Sequence, residues 1–457
     1  MQFIVCFPDN CCEERQWISS VVLHEFLGIE YQIRYDQEDS VRIQCEGKSL
    51  KLADVFFKMA HRRWMEPDTQ PTVPLQQWTV SESGLDPDLI DNTVPIIFGS
   101  AGFHFDRTNA SLGLDVFGSA FFMLSRYEEA VNMQRDQHDR FPAHASLAFR
   151  EHLLRRPIID EYVEILWAAI KLLWPQITRR VHRYQTIVSC DVDQPYHPAA
   201  KSFRRMARAT LGSAVRNRPL TEMFKPARNY LNSRRGDFQH DPYYFTVDWM
   251  MDRNEDAGNV VTFNFLPEVT DPAFDDTCAI TDPAVIAMLK RIHARRHEIG
   301  LHPGYHTYQS IEKTLHGLNK LQEVLRCAGV EQSITGGRNH FLRWSTKTPA
   351  VWDATGLRYD STLSYADHIG FRCGTCREYS MYDLHRRQPL RIKQRPLICM
   401  DCSIIVYMGY GLTEKTLSEI GTLKSATKKF HGNFTLLWHN SSLEGERARD
   451  LYCEIIK

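Results

Sequence analysis

The chain has 457 residues, 43% hydrophobic and 24% charged, with 12 cysteines and a formal net charge of −1. That length suits two or three domains of roughly 100–200 residues each. The balanced charge excludes a general nucleic-acid coat, the sparse cysteines exclude a small disulfide scaffold, and no run approaches the ~20 apolar residues of a membrane span.

The first apolar run, Phe3-Ile4-Val5-Cys6-Phe7, is short and has no Lys or Arg before it. It reads as a strand rather than a secretory signal, and the chain as a cytoplasmic protein with reduced thiols. Further strand-like runs fall at Tyr31–Tyr35 and Val94–Gly99, and helix-like periodicity at Asp115–Glu129 and Ile158–Trp174. Residues 1–180 are therefore expected to form a smaller mixed α/β domain. His138 and Asp139, between Arg135 and Arg140, read as a solvated loop.

The character changes at Tyr184. A β-like run to Cys190 stops at Asp191-Val192-Asp193. A basic stretch follows from Lys201 to Arg235, with ten Lys or Arg and only Glu222 against them. Such a run is either a solvated surface or a grip on phosphate or an anionic membrane surface. Asp241–Glu255 reads as a helix and Val260–Leu266 as a strand. Asp282-Pro283 is a cap followed by a first-turn proline, and it opens a helix with Val285, Ile286, Met288, Leu289 and Ile292 on one side. Ile311, Leu315, Leu318, Leu321 and Leu325 line the next helix, which Gly329 ends. The alternation continues to Phe434–Trp438 and predicts a parallel sheet or barrel over residues 181–457.

Four segments hold ligand-type residues just after strand-like runs or near helix starts: Asp191-Val192-Asp193, His302-Pro303-Gly304-Tyr305-His306, Arg338-Asn339-His340 and His439-Asn440. In α/β barrels the carboxyl ends of strands build the active site, so such segments converge. Two histidines and a carboxylate are a common zinc set that leaves a position for water. The helical His-Glu-x-x-His pattern is not met, because Leu301 stands where its second histidine would be. Cys373 and Cys376 form a Cys-x-x-Cys with no second pair to complete a zinc site.

Together these segments resemble the polysaccharide deacetylases, the NodB-homology group of carbohydrate esterase family four. Ser189-Cys190-Asp191-Val192-Asp193 is similar to the family's first motif. His302-Pro303-Gly304-Tyr305-His306 resembles the second, Arg338-Asn339-His340-Phe341 the third, and Leu437-Trp438-His439 the last. The resemblance covers about residues 184–440. Tyr359–Leu363, Gly370–Cys376 and the N-terminal Leu114–Phe117 and Ser125–Glu129 are similar to a subgroup with an extra N-terminal domain, tied to surface-polysaccharide and O-antigen synthesis.

The resemblance implies a distorted (β/α) barrel at the C-terminus and a metal-dependent N-deacylase acting on a sugar. Asp193, His302 and either His306 or His340 would hold one divalent ion, zinc by default, with iron, cobalt, nickel or manganese open. Asp191 would be the base, Arg338 its partner and His439 the acid. Asp360 or Asp367 would supply the carboxylate of a fourth motif. Phe341, Tyr365, Arg372 and Cys373 would contact substrate, an N-acylated sugar, nucleotide sugar or lipid-linked glycan. Two rivals stay open: a glycosyltransferase that uses Asp191 and Asp193 to hold a metal and a sugar nucleotide, and a non-catalytic carbohydrate-binding relative. Within the hydrolase reading, the bond could also be an O-ester.

Overall fold

The computed structural model describes residues 2–215 and 223–457. The chain divides into two compact units, each drawn from separated segments. The first comprises Met1–Gln185, Trp344–Ile398 and Thr422–Phe434; the second comprises Thr186–Arg343, Cys399–Gly421 and Thr435–Lys457. Among the described residues no helix is long and apolar enough to cross a membrane.

The first unit is mixed α/β, built on a six-stranded sheet in the order Tyr31–Asp36, Phe3–Pro8, Val41–Cys45, Lys48–Leu52, Asn109–Leu114, Gly99–Asp106. Phe3–Pro8 runs parallel to Tyr31–Asp36 and antiparallel to Val41–Cys45. The turn into Lys48–Leu52 is Glu46-Gly47, with φ of 49° and 73°, the left-handed pair that a tight hairpin requires. Against the sheet lie the helix Ile158–Leu173 and the fully buried helix Val116–Leu124. Asp115 caps the latter, its carboxylate accepting from the backbone N–H of Gly118, Val55 and Phe56 at 2.8 Å each.

The single helix expected over Asp115–Glu129 is two helices, Val116–Leu124 and Tyr127–Val131. Arg126 breaks them, with φ 59°. Its buried guanidinium bonds to Glu129 Oε1 (2.8 Å) and the Met123 carbonyl (3.0 Å), and these bonds offset the left-handed backbone. His138 and Asp139 sit in a loop where Asp136 accepts from the backbone of His138 and Arg140.

The second unit carries strands in the order Cys399–Met400, Asn433–Leu437, Gln185–Val192, Val261–Phe265, Glu298–Leu301, Gly336–Gly337. Val261–Phe265 is parallel to both neighbours, with Asn264 opposite Asp191 and Phe265 opposite Leu301. The connections hold the helices read from sequence. Pro242–Asp256 is capped by Asp241, Pro283–Ala294 by Asp282, and Ile311–Ala328 by Ser310, with Gly329 ending the last at φ 71°. The basic stretch forms the helices Phe203–Val215 and Lys225–Ser233; its Arg216, Arg218 and Glu222 lie outside the described residues.

Gly337 is needed for close packing. A Cβ there would stand 1.8 Å from the Leu301 carbonyl oxygen, which the strand pairing cannot relieve without separating. Gly337→Ala is expected to destabilise the chain by about 3 kcal/mol, read as a lower urea midpoint at unchanged slope.

Candidate functional site

The site follows from where the parallel strands end. Asp191 is the penultimate residue of Gln185–Val192, and Asp193 follows it. His302 follows Glu298–Leu301, and Arg338 to His340 follow Gly336–Gly337. Asp401 follows Cys399–Met400, and His439 lies two residues past Leu437. Because the strands point one way, these residues gather at one edge of the sheet.

Asp193 is the hub. Its Oδ1 lies 3.2 Å from His302 Nε2 and 3.7 Å from His340 Nε2, and its Oδ2 lies 3.6 Å from His439 Nε2. The His302 and His340 rings meet edge to face at 5.0 Å. Each imidazole is held from behind through Nδ1. His302 donates to the Arg338 carbonyl (2.6 Å), His340 to Asp275 Oδ1 (2.7 Å) and His439 to Asp401 Oδ1 (2.7 Å). These partners only accept, so Nδ1 carries the hydrogen and Nε2 faces the hub. Asp193 Oδ1 is buried without a hydrogen bond.

Asp191 is buried on the same edge. Its Oδ1 accepts from Arg338 Nη1 (2.9 Å) and Asn264 Nδ2 (2.7 Å), and Arg338 Nη2 donates to Ser189 Oγ (3.0 Å). Its Oδ2 lies 3.8 Å from His302 Nε2.

Burial raises the Asp191 carboxyl, but Arg338 and then His302 and His439 outweigh it and hold it below the usual carboxylate range. For Asp193, burial is likewise overcome, by His340, His302 and His439. The imidazoles answer in kind. Burial lowers His302, yet Asp191 and Asp193 bring it out raised; burial lowers His439, yet Asp401 and Cys402 carry it well above its ordinary value. The Asp275 carboxyl is held down against burial by His340, Thr270 and backbone N–H groups.

Among the described residues, two groups could hold a metal ion: Asp193, His302 and His340, and Asp401, Cys402 and His439. The first fits better. It offers two Nε2 atoms fixed from behind and facing one carboxylate oxygen, Asp193 Oδ1, the donor set and outer support of a zinc-type site. In the second, His439 Nδ1 is already bonded to Asp401, and burial pushes the Cys402 thiol up, against the thiolate a metal needs.

His306 stands outside both groups. The Pro303-Gly304 turn packs on the loop carrying Thr270 and Asp275, where a Cβ at Gly304 would lie 2.7 Å from Thr270 Oγ1. That approach directs His306 to Asp271, at 3.0 Å, with 45% of its side chain exposed. Phe341, at φ 60°, packs edge-on to His340 (4.7 Å), Tyr305 and Phe274.

Asp360, Tyr365, Arg372 and Cys373 lie in the first unit. Arg372 is paired with Glu129 at 2.7 Å and stacked on Tyr365, Asp360 accepts from the Thr362 N–H at 2.8 Å, and burial pushes the Cys373 thiol up. Asp367, in that unit too, pairs with His368.

Reasoning from sequence passed over Asp401, Asp275 and Asn264, and quoted Ser189 only as part of the first motif. Asp401 had a signal, since it ends the apolar run Leu397-Ile398-Cys399-Met400 as His439 ends its own. Asp275 had none, lying in an irregular loop.

Residues 3–175 match the model of a family of unknown function (DUF7033). No curated protein matches the chain. A Mycobacterium smegmatis structure assigned as a polysaccharide deacetylase is similar at a TM-score of 0.39 and 16% identity, over 60% of this chain and 83% of that one. A 4-α-glucanotransferase from Thermococcus litoralis is similar at 0.35 and 13%, over 61% and 37% of the two chains. A Bordetella bronchiseptica protein assigned as a polysaccharide deacetylase involved in O-antigen biosynthesis is similar at 0.23 and 14%, over 45% and 70%. At these TM-scores the likenesses carry no functional weight, and the reading of function rests on the site.

Proposed function

We infer that the chain is a metal-dependent hydrolase that removes an N-acyl group, acetyl in the simplest case, from a sugar. The observation that carries this is one carboxylate, Asp193, ringed by the Nε2 atoms of His302, His340 and His439, with a second, Arg338-bound carboxylate beside it.

Asp193, His302 and His340 would hold one divalent ion, zinc by default for two nitrogens and an oxygen, although those ligands would also suit iron, cobalt, nickel or manganese. Such an ion polarises the acyl carbonyl and acidifies water. Asp191 takes the proton from the attacking water. Its low pKa keeps it ionised, and Arg338 and Asn264 fix Oδ1 so that Oδ2 is presented for the transfer. His439 delivers a proton to the departing nitrogen from Nε2, since an amine anion is too basic to leave unassisted. Asp401 holds Nδ1 and favours the imidazolium that must be ready to donate. The Phe341 ring would border the acyl group.

Asp401→Asn removes the charge that supports His439 without reaching the metal ligands. It is expected to lower kcat by about 100-fold with metal content unchanged, and to move the alkaline limb of the pH profile to lower pH, because His439 then loses its proton earlier. The assay is acetate release from N-acetylated sugars, nucleotide sugars and lipid-linked glycans by the metal-loaded protein. Release that chelation stops and metal restores supports the reading. Transfer or hydrolysis at the sugar–phosphate bond without deacylation would replace it with the glycosyltransferase, and sugar binding without turnover with the carbohydrate-binding relative.

A further inference from the structure

We propose that a cationic cavity in the helical insertion of the second unit holds the diphosphate of a glycosyl diphosphate substrate; this names the substrate class of the hydrolase inferred above and rests on that reading. The cavity, about 760 Å³, lies against the helices Phe203–Val215 and Lys225–Ser233 and the loop at Leu443 to Gly445. Arg208, Lys225, Arg228, Arg449, His197 and His240 line it, and among the described lining residues Glu444 is the one carboxylate.

The cations of this region, among them Arg449 of the C-terminal helix Glu446–Ile456, differ in their partners. Lys201 and Arg205 are neutralised by Asp276, at 3.1 and 2.8 Å. Arg208, Arg228 and Arg449 form no ion pair among the described residues, and all three line the cavity. Cations that line one cavity favour the uptake of an anion, and the planar fork of a guanidinium matches phosphate oxygens. A cavity of that size accepts a diphosphate with part of its ester.

The location ties this cavity to the chemistry. His197 follows Asp193 by four residues, and Leu443 follows His439 by four. At no more than about 3.3–3.6 Å per residue, His197 and Leu443 therefore lie within about 14 Å of Asp193 and His439. The link is braced. Asp241 accepts from the His197 N–H (2.9 Å) while capping Pro242–Asp256. Asn440 Nδ2 donates to the carbonyls of Gln194 (3.0 Å) and Tyr243 (3.1 Å), and Thr246 Oγ1 donates to the Asn440 carbonyl (2.9 Å). In a glycosyl diphosphate the phosphates start at the anomeric carbon, one linkage from the ring that bears the acylamino group, so a diphosphate held in this cavity would direct that ring toward the hub.

The diphosphate could belong to a nucleotide sugar or to a polyprenyl-linked glycan, and the test separates them. Calorimetric titration of the full chain with inorganic pyrophosphate reads the cavity without any turnover. One site per chain is expected, weakened at least about tenfold in the Arg208→Ala, Arg449→Ala double variant, whose unchanged thermal midpoint shows it folded. Uridine diphosphate competing with pyrophosphate marks the nucleotide source, and co-sedimentation with phosphatidylcholine vesicles doped with a polyprenyl diphosphate marks the lipid source. In turnover, the double variant should raise KM about tenfold for a glycosyl diphosphate and leave release from an unphosphorylated N-acetyl sugar unchanged. No pyrophosphate binding, or equal binding by the variant, overturns the cavity assignment even if deacylation is found. Pyrophosphate binding without acetate release from any sugar overturns the hydrolase reading and the substrate role with it.

Discussion

Asp191→Asn is expected to lower acetate release by roughly 10³-fold while the protein keeps one divalent ion per chain. The amide preserves the local geometry. Its carbonyl still accepts from Arg338 and Asn264, where Asp191 Oδ1 accepts at 2.9 and 2.7 Å. At the Oδ2 position, however, an NH₂ replaces the oxygen that must take a proton. Asp191 lies outside the metal-holding group, so metal content is the control that separates a lost base from a lost site. Arg338 is itself buried and loses its formal counter-charge, a change that costs several kcal/mol when a buried pair is cut outright. The isosteric amide limits this cost, and a thermal scan should show a folded protein. Undiminished acetate release would remove Asp191 from the role of base.

His340→Ala is expected to weaken metal binding by more than about 100-fold, whereas His306→Ala leaves it unchanged. Removal of an outer-shell partner alone costs roughly 10–100-fold, and loss of a direct ligand costs more. The contrast tests a specific feature of the loop at Pro303-Gly304. His306 Nε2 is engaged by Asp271, while His340 Nε2 faces Asp193 with Asp275 behind it. Equilibrium dialysis followed by elemental analysis reads both variants. Metal loss in His306→Ala, with retention in His340→Ala, would reverse the assignment.

Much of the site was legible because strand ends announce themselves. Asp191, Asp193, His302 and His439 each follow an apolar run, and a parallel sheet brings such positions together whatever their separation in the chain. The same rule reaches Asp401, but its strand is two residues long and gives little periodic signal. The choice between His306 and His340 was not legible, because it depends on how tightly Gly304 meets Thr270 and Asp275, a packing fact with no local pattern. Helices with plain caps, such as Pro283–Ala294 and Ile311–Ala328, read directly. The break at Arg126 did not, since its buried partners, not its own propensity, stabilise the left-handed backbone. The two units are assembled from segments far apart in sequence, a consequence of long-range strand pairing that local windows do not register.

The most direct measurement is anomalous diffraction at the zinc edge from crystals of the zinc-loaded protein. The account predicts one strong peak within coordination distance of Asp193 and the Nε2 atoms of His302 and His340. A peak among Asp401, Cys402 and His439, a peak at His306, or no peak at all would contradict it.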